Sequence, residues 1–425
     1  MKILWIVNVV FQQVADACGL ESSAGGGWLS GFFESMKNKQ NYNISVCFPY
    51  SGQRIKRKTS SVNYYSFIEK SLTKYDDSLE MFFSDIITEE MPDVIHIFGT
   101  EFPHTLAAVK ACKNMGVLER CVINIQGLIS ACAEQYYAGL SNSAIYKCSI
   151  RDFLKADNVY FQKKNFEKRG IFEINALKIA KNVIGRTDWD LNLIKSINPD
   201  INYYFCNESL RSEFYEGPKW DYEKCEKYSI FVSQSYYPLK GFHNLISIFA
   251  EVIKKYPDTH IYTTGNGGDY HNFLLNLRHQ TYYQKYLLKL IKKYNLKDKI
   301  SFLGNLNASE MRERLLKSNV FLLASSIENS SNSLGEAMLL GVPSISSNVG
   351  GIKTLMTHNK EGFLYPFDKP ETINLYIDKI FSDIDKANEI SGNAVKRAEH
   401  THSRTINEKV LNEIYLDISK HEESI

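Results

Sequence analysis

Long hydrophobic runs are missing from this sequence, and no stretch approaches the roughly 20 apolar residues that a membrane-spanning helix needs. A clear excess of one charge is missing as well, because 50 lysines and arginines stand against 48 aspartates and glutamates, a formal charge of +2. Proteins that bind along nucleic acids need a basic excess to neutralise phosphates, so this balance argues against that function. It is compatible with binding a small anion at one local site.

Three other signatures are absent. The eight cysteines are scattered, with no C-x-x-C pair and no cluster of histidines and cysteines, so neither a zinc site nor a disulfide framework is indicated. There is also no G-x-G-x-x-G after the first predicted strand and no G-x-x-x-x-G-K-S/T, which argues against a Rossmann dehydrogenase and a P-loop enzyme. We therefore expect reduced thiols and a cytoplasmic protein.

What the sequence does contain is an ordinary globular composition in a long chain. Its 425 residues exceed one typical domain, so two domains are the natural expectation. Hydrophobic residues make up 44% and charged residues 23%, which is enough for two cores and excludes a disordered, collagen-like or coiled-coil chain.

The N-terminus allows two interpretations. Met1-Lys2 and the apolar stretch 3–11 resemble a short signal peptide, with small residues at 15–17 as its cleavage site. However, Asn8 interrupts that stretch and only one basic residue precedes it. The same residues also fit a buried strand that enters a glycine-rich turn, and we favour the strand.

Short β-branched runs alternate with helical patterns along the chain, which is typical of parallel sheets covered by helices. Residues 209–226 are charged and aromatic without clear periodicity, and we interpret them as a linker. The sequence thus predicts one α/β domain at 1–208 and another at 227–403, followed by a charged helix. The predicted strands are residues 3–10, 44–48, 94–98, 122–125 and 201–205 in the first domain and 229–233, 259–264, 300–303, 320–324 and 343–346 in the second.

The most specific motif is a pair of glutamates, Glu328 and Glu336, separated by seven mostly small and polar residues. The motif follows a predicted strand and opens a predicted helix, where free backbone N–H groups and the helix dipole favour an anion. Glu336 could accept hydrogen bonds from a ribose diol. Alternatively, residues 330–332 only cap the helix and Glu336 is a solvated first-turn acid, and the isolated spacing favours this alternative.

Two further features follow strand ends. Lys240 and Gly241 come after a predicted strand and enter a helix, where a lysine can neutralise charge on a departing diphosphate. Taken alone, this feature favours a plain surface lysine at the start of a helix. Glycines also stand at strand exits, where they permit close ligand approach or simply form ordinary turns. These glycines are residues 25–27, 265, 267, 304, 350 and 351.

With these motifs the sequence resembles the family-4 retaining glycosyltransferases over essentially its whole length. The segments 92–97 and 184–188 resemble those of bacterial surface-polysaccharide members. The resemblance implies an α/β GT-B fold, with two Rossmann-like doubly wound domains facing a central cleft. It further implies that the N-terminal domain binds the acceptor, that the C-terminal domain binds the nucleotide-sugar donor, and that the helix at about 404–425 packs back on the first domain.

The resemblance also implies roles for individual residues. Glu336 would hold the donor ribose, Glu328 would lie near the donor sugar and its phosphates, and Lys240 would support the leaving group. Retention would need no protein nucleophile, no metal ion and no cofactor beyond a UDP-type or GDP-type sugar donor. Further donor contacts are expected at Gly26, Gly27, Gln234, Gly265, Asn305, Ser331, Asn332, Ser333 and Leu334.

Two positions depart from the family pattern. Gln234 stands where an arginine is common, six residues before Lys240, and Gln126 stands where a histidine is frequent. Glutamine can hydrogen-bond a phosphate or a sugar hydroxyl, but it carries no charge and does not titrate. We keep Gln126 as a catalytic candidate, and Arg186 and Arg211 as candidates for the missing charge, although a structural salt bridge is the favoured explanation for each arginine.

The acceptor side is less defined. His104 opens a predicted helix after a strand and is a candidate contact of the acceptor or the donor sugar, although a capped, partly exposed histidine fits equally well. Asp188 and Glu208 are weaker candidate acceptor contacts. The stretches 147–169 and 278–293 are basic and aromatic, so each is either a peripheral contact with the inner face of a membrane or a solvated helix with its apolar stripe in the core.

The expected function is transfer of a sugar to a glycan or lipid-linked acceptor in polysaccharide biosynthesis. Two alternatives stay open: a GT-B nucleotide-sugar epimerase, and a non-catalytic GT-B subunit that binds nucleotide or glycan.

Overall fold

The computed structural model of the protein describes residues 1–23, 27–37, 42–265 and 280–420. The chain divides into two compact units. The first consists of Met1–Ala131, Phe166–Arg211 and His402–Ile425, and the second of Cys132–Asn165 and Ser212–Thr401. Each unit contains one sheet in which parallel pairing dominates.

The strands and helices of the described residues are numbered in chain order. The strands are β1 Lys2–Ile6, β2 Asn43–Pro49, β3 Lys56–Lys58, β4 Val62–Phe67, β5 Val94–Phe98, β6 Cys121–Asn124, β7 Asn182–Gly185, β8 Asn202–Phe205, β9 Glu226–Val232, β10 His260–Thr263, β11 Ile300–Phe302, β12 Ser318–Leu323, β13 Ser344–Ser347 and β14 Phe363–Tyr365. The α-helices are α1 Gln12–Cys18, α2 Gly27–Lys37, α3 Ser78–Glu90, α4 Pro103–Asn114, α5 Ile129–Glu134, α6 Asn142–Tyr146, α7 Ile150–Lys155, α8 Val159–Ile179, α9 Asp188–Ile197, α10 Phe242–Lys255, α11 Tyr282–Lys293, α12 Ala308–Lys317, α13 Asn332–Leu340, α14 Ile352–Leu355, α15 Thr372–Ser382, α16 Ile384–Thr401 and α17 Arg404–Ser419.

The sheet of the first unit has the order β3-β4-β2-β1-β5-β6-β7-β8, and only the β3–β4 pair is antiparallel. Strand β1 lies in its middle, and its side chains alternate between the two faces. Leu4 and Ile6 join one hydrophobic cluster, whereas Ile3 and Trp5 join the other. A strand covered on both faces is apolar at nearly every position, as β1 is, so the strand interpretation of the N-terminus is confirmed.

Helix α17, near the C-terminus of the chain, packs on the first unit. Its Tyr415 is buried, and the phenol oxygen lies 3.1 Å from the Trp5 indole nitrogen and 2.6 Å from Nδ1 of His96. The indole N–H donates to the hydroxyl, and the hydroxyl is hydrogen-bonded to Nδ1 of His96. Burial keeps the imidazole neutral, because it lowers the pKa of His96 to about 3. This chain of hydrogen bonds joins α17 to β1 and β5.

The sheet of the second unit is parallel throughout, in the order β11-β10-β9-β12-β13-β14. The strand order reverses between β9 and β12, and in such sheets ligands bind at the carboxyl ends of the strands beside that reversal. Strand β13 is buried although it is rich in serine, because its hydroxyls bond to carbonyl oxygens, for example Ser347 Oγ to Ser325 O at 2.6 Å.

Residues 132–165 belong to the second unit, whereas the sequence-based boundary places them in the first domain. His243 on α10 explains the attachment. Its Nε2 donates to the Ala138 carbonyl at 3.1 Å, and its Nδ1 accepts from the Tyr283 hydroxyl at 3.0 Å. Burial lowers the pKa of His243 to about 4, which keeps the ring in the neutral form that both bonds require.

The stretch expected to be a linker is also packed from Ser212 onward. Trp220 is buried. Its backbone N–H donates to Leu340 O at 2.7 Å, and its indole N–H donates to Ser318 O at 2.8 Å. A tryptophan with both donors satisfied fixes residues 212–226 to the second unit.

All eight cysteines are free thiols. Across the parts of the chain that the structure describes, no helix combines the length and apolarity needed to cross a membrane.

Candidate functional site

The loops that follow β9 and β12 touch each other closely. Gly241 has φ +69°, and a Cβ at this position would overlap the Ala324 carbonyl oxygen. The amide of Ser326 donates to Leu239 O at 2.8 Å across the same contact. Only glycine satisfies both the left-handed backbone and the close approach, so Gly241 fixes the position of the neighbouring Lys240.

The loop after β13 approaches the loop after β12 in the same way. Gly350 has φ +51°, and a Cβ there would overlap the carbonyl oxygen of Glu328. The Gly351 amide donates to that oxygen at 3.0 Å. The loop after β13 therefore holds the backbone of Glu328 in place.

Lys240 and Glu328 meet at this edge of the sheet. The lysine Nζ lies 2.6 Å from Glu328 Oε1, and the Ser325 hydroxyl donates to the same oxygen at 2.6 Å. The two charged side chains are only 25% and 11% exposed, so solvent screens the pair less than it screens a surface salt bridge. The ion pair holds the ammonium group at the carboxyl ends of β9 and β12.

Helix α13 begins four residues after Glu328. Ser331 is its N-cap, and its Oγ accepts from the Leu334 amide at 3.4 Å. The Ser333 hydroxyl lies 3.1 Å from the Ser331 hydroxyl and 3.5 Å from that of Ser233, which follows β9. The first backbone N–H groups of a helix have no intrahelical acceptor. At the start of α13, the N–H groups of Asn332 and Ser333 are therefore the hydrogen-bond donors that a ligand can use.

Glu336 lies on the second turn of α13 and its side chain is 5% exposed. The alternative in which it is a solvated first-turn acid is therefore wrong. Capping by Ser331 is correct. The side chain of Leu334 is fully buried in the core. The predicted contact of Leu334 with the nucleotide-sugar donor is therefore limited to its backbone.

The remaining strand ends of this sheet are joined by main-chain contacts. Both the amide and the hydroxyl of Ser235 donate to Thr264 O, at 3.3 and 2.9 Å. Gly265, with φ +100°, donates to Gly304 O at 2.9 Å. The predicted donor contacts Gln234 and Asn305 stand on these two loops, partly exposed and exposed respectively.

In the first unit, Gln126 is held by a polar network. Its Nε2 donates to Asn124 Oδ1 and to Glu208 Oε1, both at 2.7 Å. This arrangement leaves the side-chain oxygen of Gln126 to accept a hydrogen bond. Arg186 NH1 lies 2.6 Å from Glu208 Oε2, and Arg186 is 2% exposed. Of the two readings of Arg186, the structural salt bridge is therefore the observed one.

Sequence reasoning missed Glu101, which lies three residues after the end of β5. Its Oε2 is buried and has no hydrogen-bond partner among the described residues. Burial raises the pKa of this carboxyl to about 7, and the Arg169 guanidinium only partly opposes that shift. The Asn8 amide lies at the same edge, because a Cβ on Gly99 would stand 2.9 Å from Glu101 Oε2 and 3.0 Å from Asn8 Nδ2. The signal in the sequence was an acid in the loop that begins after a predicted strand, three residues beyond its end.

Glu173 on α8 is a second buried carboxylate near the same strand ends. It accepts from the Ser130 amide at 3.0 Å, the Ser130 hydroxyl at 2.6 Å and the Ile129 amide at 2.9 Å, and from the Thr100 hydroxyl at 2.7 Å. Burial raises its pKa despite these bonds. All its oxygens are occupied by the protein, so its role is to hold the start of α5.

The acceptor candidates His104 and Asp188 differ in exposure. His104 is fully buried between the rings of Phe67 and Phe102, and its Nδ1 lies 2.8 Å from Glu69 Oε1. A ring in this position packs the start of α4 and does not present itself to an acceptor, which corrects the expectation. Asp188 is exposed at the start of α9.

Helix α2 begins at Gly27, while Gly26 lies outside the described residues. No group of three or more histidines, cysteines, aspartates or glutamates that could hold a metal ion occurs within the described ranges.

Comparisons with known proteins find similarity to glycosyltransferases. Residues 219–397 match the family model for "Glycosyl transferases group 1". The putative glycosyltransferase YtcC of Bacillus subtilis is 28% identical over 183 residues, which are 43% of this chain and 43% of that protein. The N-acetyl-alpha-D-glucosaminyl L-malate synthase of Bacillus anthracis is 23% identical over 310 residues, covering 72% of this chain and 68% of the synthase. The chain thus spans about two fifths of YtcC and about two thirds of the synthase.

Two solved structures resemble the whole chain. Sucrose-phosphate synthase from Thermosynechococcus elongatus matches with a TM-score of 0.69 at 14% identity, over 99% of this chain and 100% of that one. HepE from Anabaena, in complex with UDP-glucose, matches with a TM-score of 0.64 at 15% identity, over 97% of this chain and 99% of that one. Both sheets with their helices therefore form the two Rossmann-like halves of a GT-B fold, and the half that carries the Lys240–Glu328 pair matches the group 1 glycosyltransferases.

Proposed function

We propose that the protein is a retaining glycosyltransferase, which transfers a sugar from a nucleoside diphosphate sugar to a glycan or lipid-linked acceptor in polysaccharide biosynthesis. The observation that carries this proposal is the Lys240–Glu328 ion pair, which lies at the strand-order reversal of the second sheet. A positive group at the N-terminal side of a helix, beside a reversal of strand order, suits a diphosphate.

The donor would bind to the second unit. Its diphosphate would accept hydrogen bonds from the first amides of α13 and from Lys240, which has three N–H donors and can keep its contact with Glu328 while it binds phosphate. Glu336 would hold the ribose, and the carboxylate of Glu328 would face the sugar. A uridine donor is the first choice, because the similar HepE structures contain UDP and UDP-glucose.

Transfer with retention balances without a protein nucleophile. The bond between the anomeric carbon and the phosphate oxygen breaks, and the acceptor oxygen bonds to the same face of that carbon. The acceptor hydroxyl gives its proton to the departing phosphate oxygen. The ammonium group of Lys240 stabilises the negative charge that develops on the nucleoside diphosphate.

The acceptor would bind to the first unit. Gln126 offers a hydrogen-bond acceptor whose orientation is fixed by Asn124 and Glu208. A glutamine oriented in this way can bind an acceptor hydroxyl but cannot remove its proton, which fits a mechanism in which phosphate is the base.

We also propose that no metal ion is required, because Lys240 and the start of α13 supply the positive charge near the diphosphate. Activity should then be retained in excess EDTA. Loss of activity in EDTA with recovery on adding Mg²⁺ would contradict this part of the proposal without affecting donor binding.

The test is nucleotide release by the purified protein. UDP-, GDP- and ADP-sugars are incubated with and without a lipid and glycan extract, and the nucleoside diphosphate formed is measured. Transfer predicts release that depends on the extract, and NMR of the product should show the donor's anomeric configuration. Release of free sugar without the extract would favour the epimerase, and binding without release would favour the non-catalytic subunit.

A further inference from the structure

Exposed apolar side chains concentrate in one short segment of the second unit. Fifteen large hydrophobic side chains are exposed among the described residues, and five of them lie within residues 146–161. Phe153 and Leu154 are each 78% exposed, which are the highest values of that set. Tyr146, Ile150 and Phe161 are 59%, 57% and 41% exposed.

Helix α7 differs from a typical surface helix, which buries its apolar face and exposes its polar face. It buries Asp152 completely and exposes Ile150, Phe153 and Leu154, whose spacing of three and four residues puts them on one face. Asp152 cannot turn outward, because it closes a capping box with Ser149 and accepts from the Tyr282 amide at 2.6 Å. The fold therefore holds the apolar face of α7 toward the outside.

The second basic and aromatic stretch behaves in the opposite way. Helix α11 buries Tyr283, Leu287 and Ile291 in the core. For this stretch, over its described residues, the solvated helix with an inward apolar stripe is thus correct. The contrast shows that the outward apolar face belongs to α7 and does not follow from basic, aromatic sequence alone.

The charges around α7 are positive. Within residues 146–161 the acids are Asp152 and Asp157, and Arg151 forms ion pairs with both, at 3.2 and 2.8 Å. Lys147 precedes the helix and Lys155 ends it, and both are exposed. The apolar face is therefore bordered by positive charge at both ends, with the nearby acids already paired.

We propose that this surface, consisting of Tyr146, Lys147, Ile150, Phe153, Leu154 and Lys155, docks on an anionic lipid bilayer. The three apolar side chains of α7 insert at the level of the acyl chains. Tyr146 lies at the interface and the two lysines contact anionic headgroups. A second copy of this chain would complement the apolar face but not the two lysines. Docking does not require sugar transfer, so this proposal and the proposed function can fail separately.

The test is flotation of the purified full-length protein with vesicles of phosphatidylcholine alone and of phosphatidylcholine with 30% phosphatidylglycerol. Four proteins are compared: wild type, Phe153→Ser/Leu154→Ser, Lys147→Ala/Lys155→Ala, and the matched control Met81→Ser/Met91→Ser, which changes two other exposed hydrophobics, 68% and 65% exposed. Circular dichroism checks that each variant is folded.

The proposal predicts that wild type and control bind the anionic vesicles at low salt, and that both α7 variants lose at least about fivefold in bound fraction. It also predicts that wild type loses binding to the anionic vesicles as salt is raised. The emission of an environment-sensitive fluorophore attached to the exposed Cys148 should shift to the blue when the protein binds the vesicles. Cys148→Ser is the labelling control.

Three results would overturn the proposal. The first is wild-type protein that stays with the buffer at low salt. The second is equal flotation of wild type and the Phe153→Ser/Leu154→Ser variant. The third is a dimer in the absence of lipid that this double variant dissociates, which would assign the surface to a second copy of the chain.

Discussion

Lys240 and Glu328 are 88 residues apart in the sequence, yet their side chains meet at 2.6 Å at the carboxyl edge of the second sheet. The ion pair connects the loop after β9 with the loop after β12, and Gly241 allows these two backbones to come this close. Gly350 allows the loop after β13 to approach the Glu328 backbone in the same way. The ammonium group is thus positioned before any donor binds. In the proposed mechanism this positioning lets Lys240 stabilise the leaving diphosphate without reorganisation.

Removing the Lys240 charge should reduce the rate of transfer and leave the fold intact. For Lys240→Ala we expect kcat/KM to fall by about 100- to 1,000-fold, the effect of losing one preorganised charge partner in a site of this type. The control is Lys254→Ala on α10, an exposed lysine paired with Glu251, which should keep wild-type kinetics. Equal activity of the two variants would remove Lys240 from the mechanism.

Gly241→Ala should destabilise the second unit beyond the cost of its backbone conformation. Gly116 offers a matched control, since it also has a left-handed backbone, φ +72°, but has no atom within 4 Å of an added Cβ. Gly116→Ala should cost about 1 kcal/mol for the conformation alone. Gly241→Ala adds the overlap with Ala324 O, for a total of about 2–4 kcal/mol. Urea denaturation compares the two, and equal losses would show that the contact relaxes freely.

Glu101 should make stability depend on pH. The ordinary pKa of 4.5 applies to the unfolded chain and a pKa of about 7 to the folded protein, so between these values the folded protein binds a proton that the unfolded chain has lost. Its stabilising contribution is complete below pH 4.5 and is lost as pH rises through 7.

Glu101→Gln removes this dependence. Relative to wild type, the variant should therefore gain about 1–3 kcal/mol in unfolding free energy between pH 5 and pH 8. Denaturant unfolding of both proteins across this range measures the difference. A difference that stays constant with pH would show that Glu101 titrates normally.

Arg186 and Glu208 should be strongly coupled. Arg186→Ala leaves a 5% exposed carboxylate without its partner, so we expect a loss of about 3–5 kcal/mol in unfolding free energy. Adding Glu208→Gln removes the unpaired charge and should recover part of that loss. Additive effects in this double-mutant cycle would contradict a direct pair.

The motifs around Lys240, Glu328 and Glu336 implied the GT-B fold through the family resemblance, whereas the alternation of β-branched runs and helical patterns predicted the parallel sheets. The predicted limits of strand Val94–Phe98 match the structure. Strands β3, β4, β7 and β14 were not predicted. Strands β3 and β14 have only three residues each, which is too short to show a periodicity, although the equally short β11 was found. The serine-rich β13 was found from its position between a proline and a glycine pair, although its burial depends on hydroxyl hydrogen bonds that composition does not reveal.

The candidate site was predictable where all the motif residues are contiguous in the sequence, as between Glu328 and Glu336. It was not predictable where partners meet only after folding. The attachment of residues 132–165 depends on His243 reaching the Ala138 carbonyl, and the pKa of Glu101 depends on its burial. Neither the His243–Ala138 hydrogen bond nor the burial of Glu101 leaves a local sequence pattern, because each depends on residues from distant parts of the chain.

The most direct test of the central claim measures the thermal stability of the second unit with UDP, GDP, ADP and CMP. Three proteins are compared: wild type, Glu336→Gln and the matched control Glu361→Gln, another buried glutamate of this unit, 4% exposed. At 100 times its dissociation constant a nucleotide should stabilise wild type by about 2.7 kcal/mol, a rise of about 5–10 °C in Tm. We predict that one nucleoside diphosphate produces this rise in wild type and Glu361→Gln, and that Glu336→Gln loses it. An absence of any rise in wild type, or an equal rise in all three proteins, would contradict the assignment of this edge as a nucleotide-sugar site.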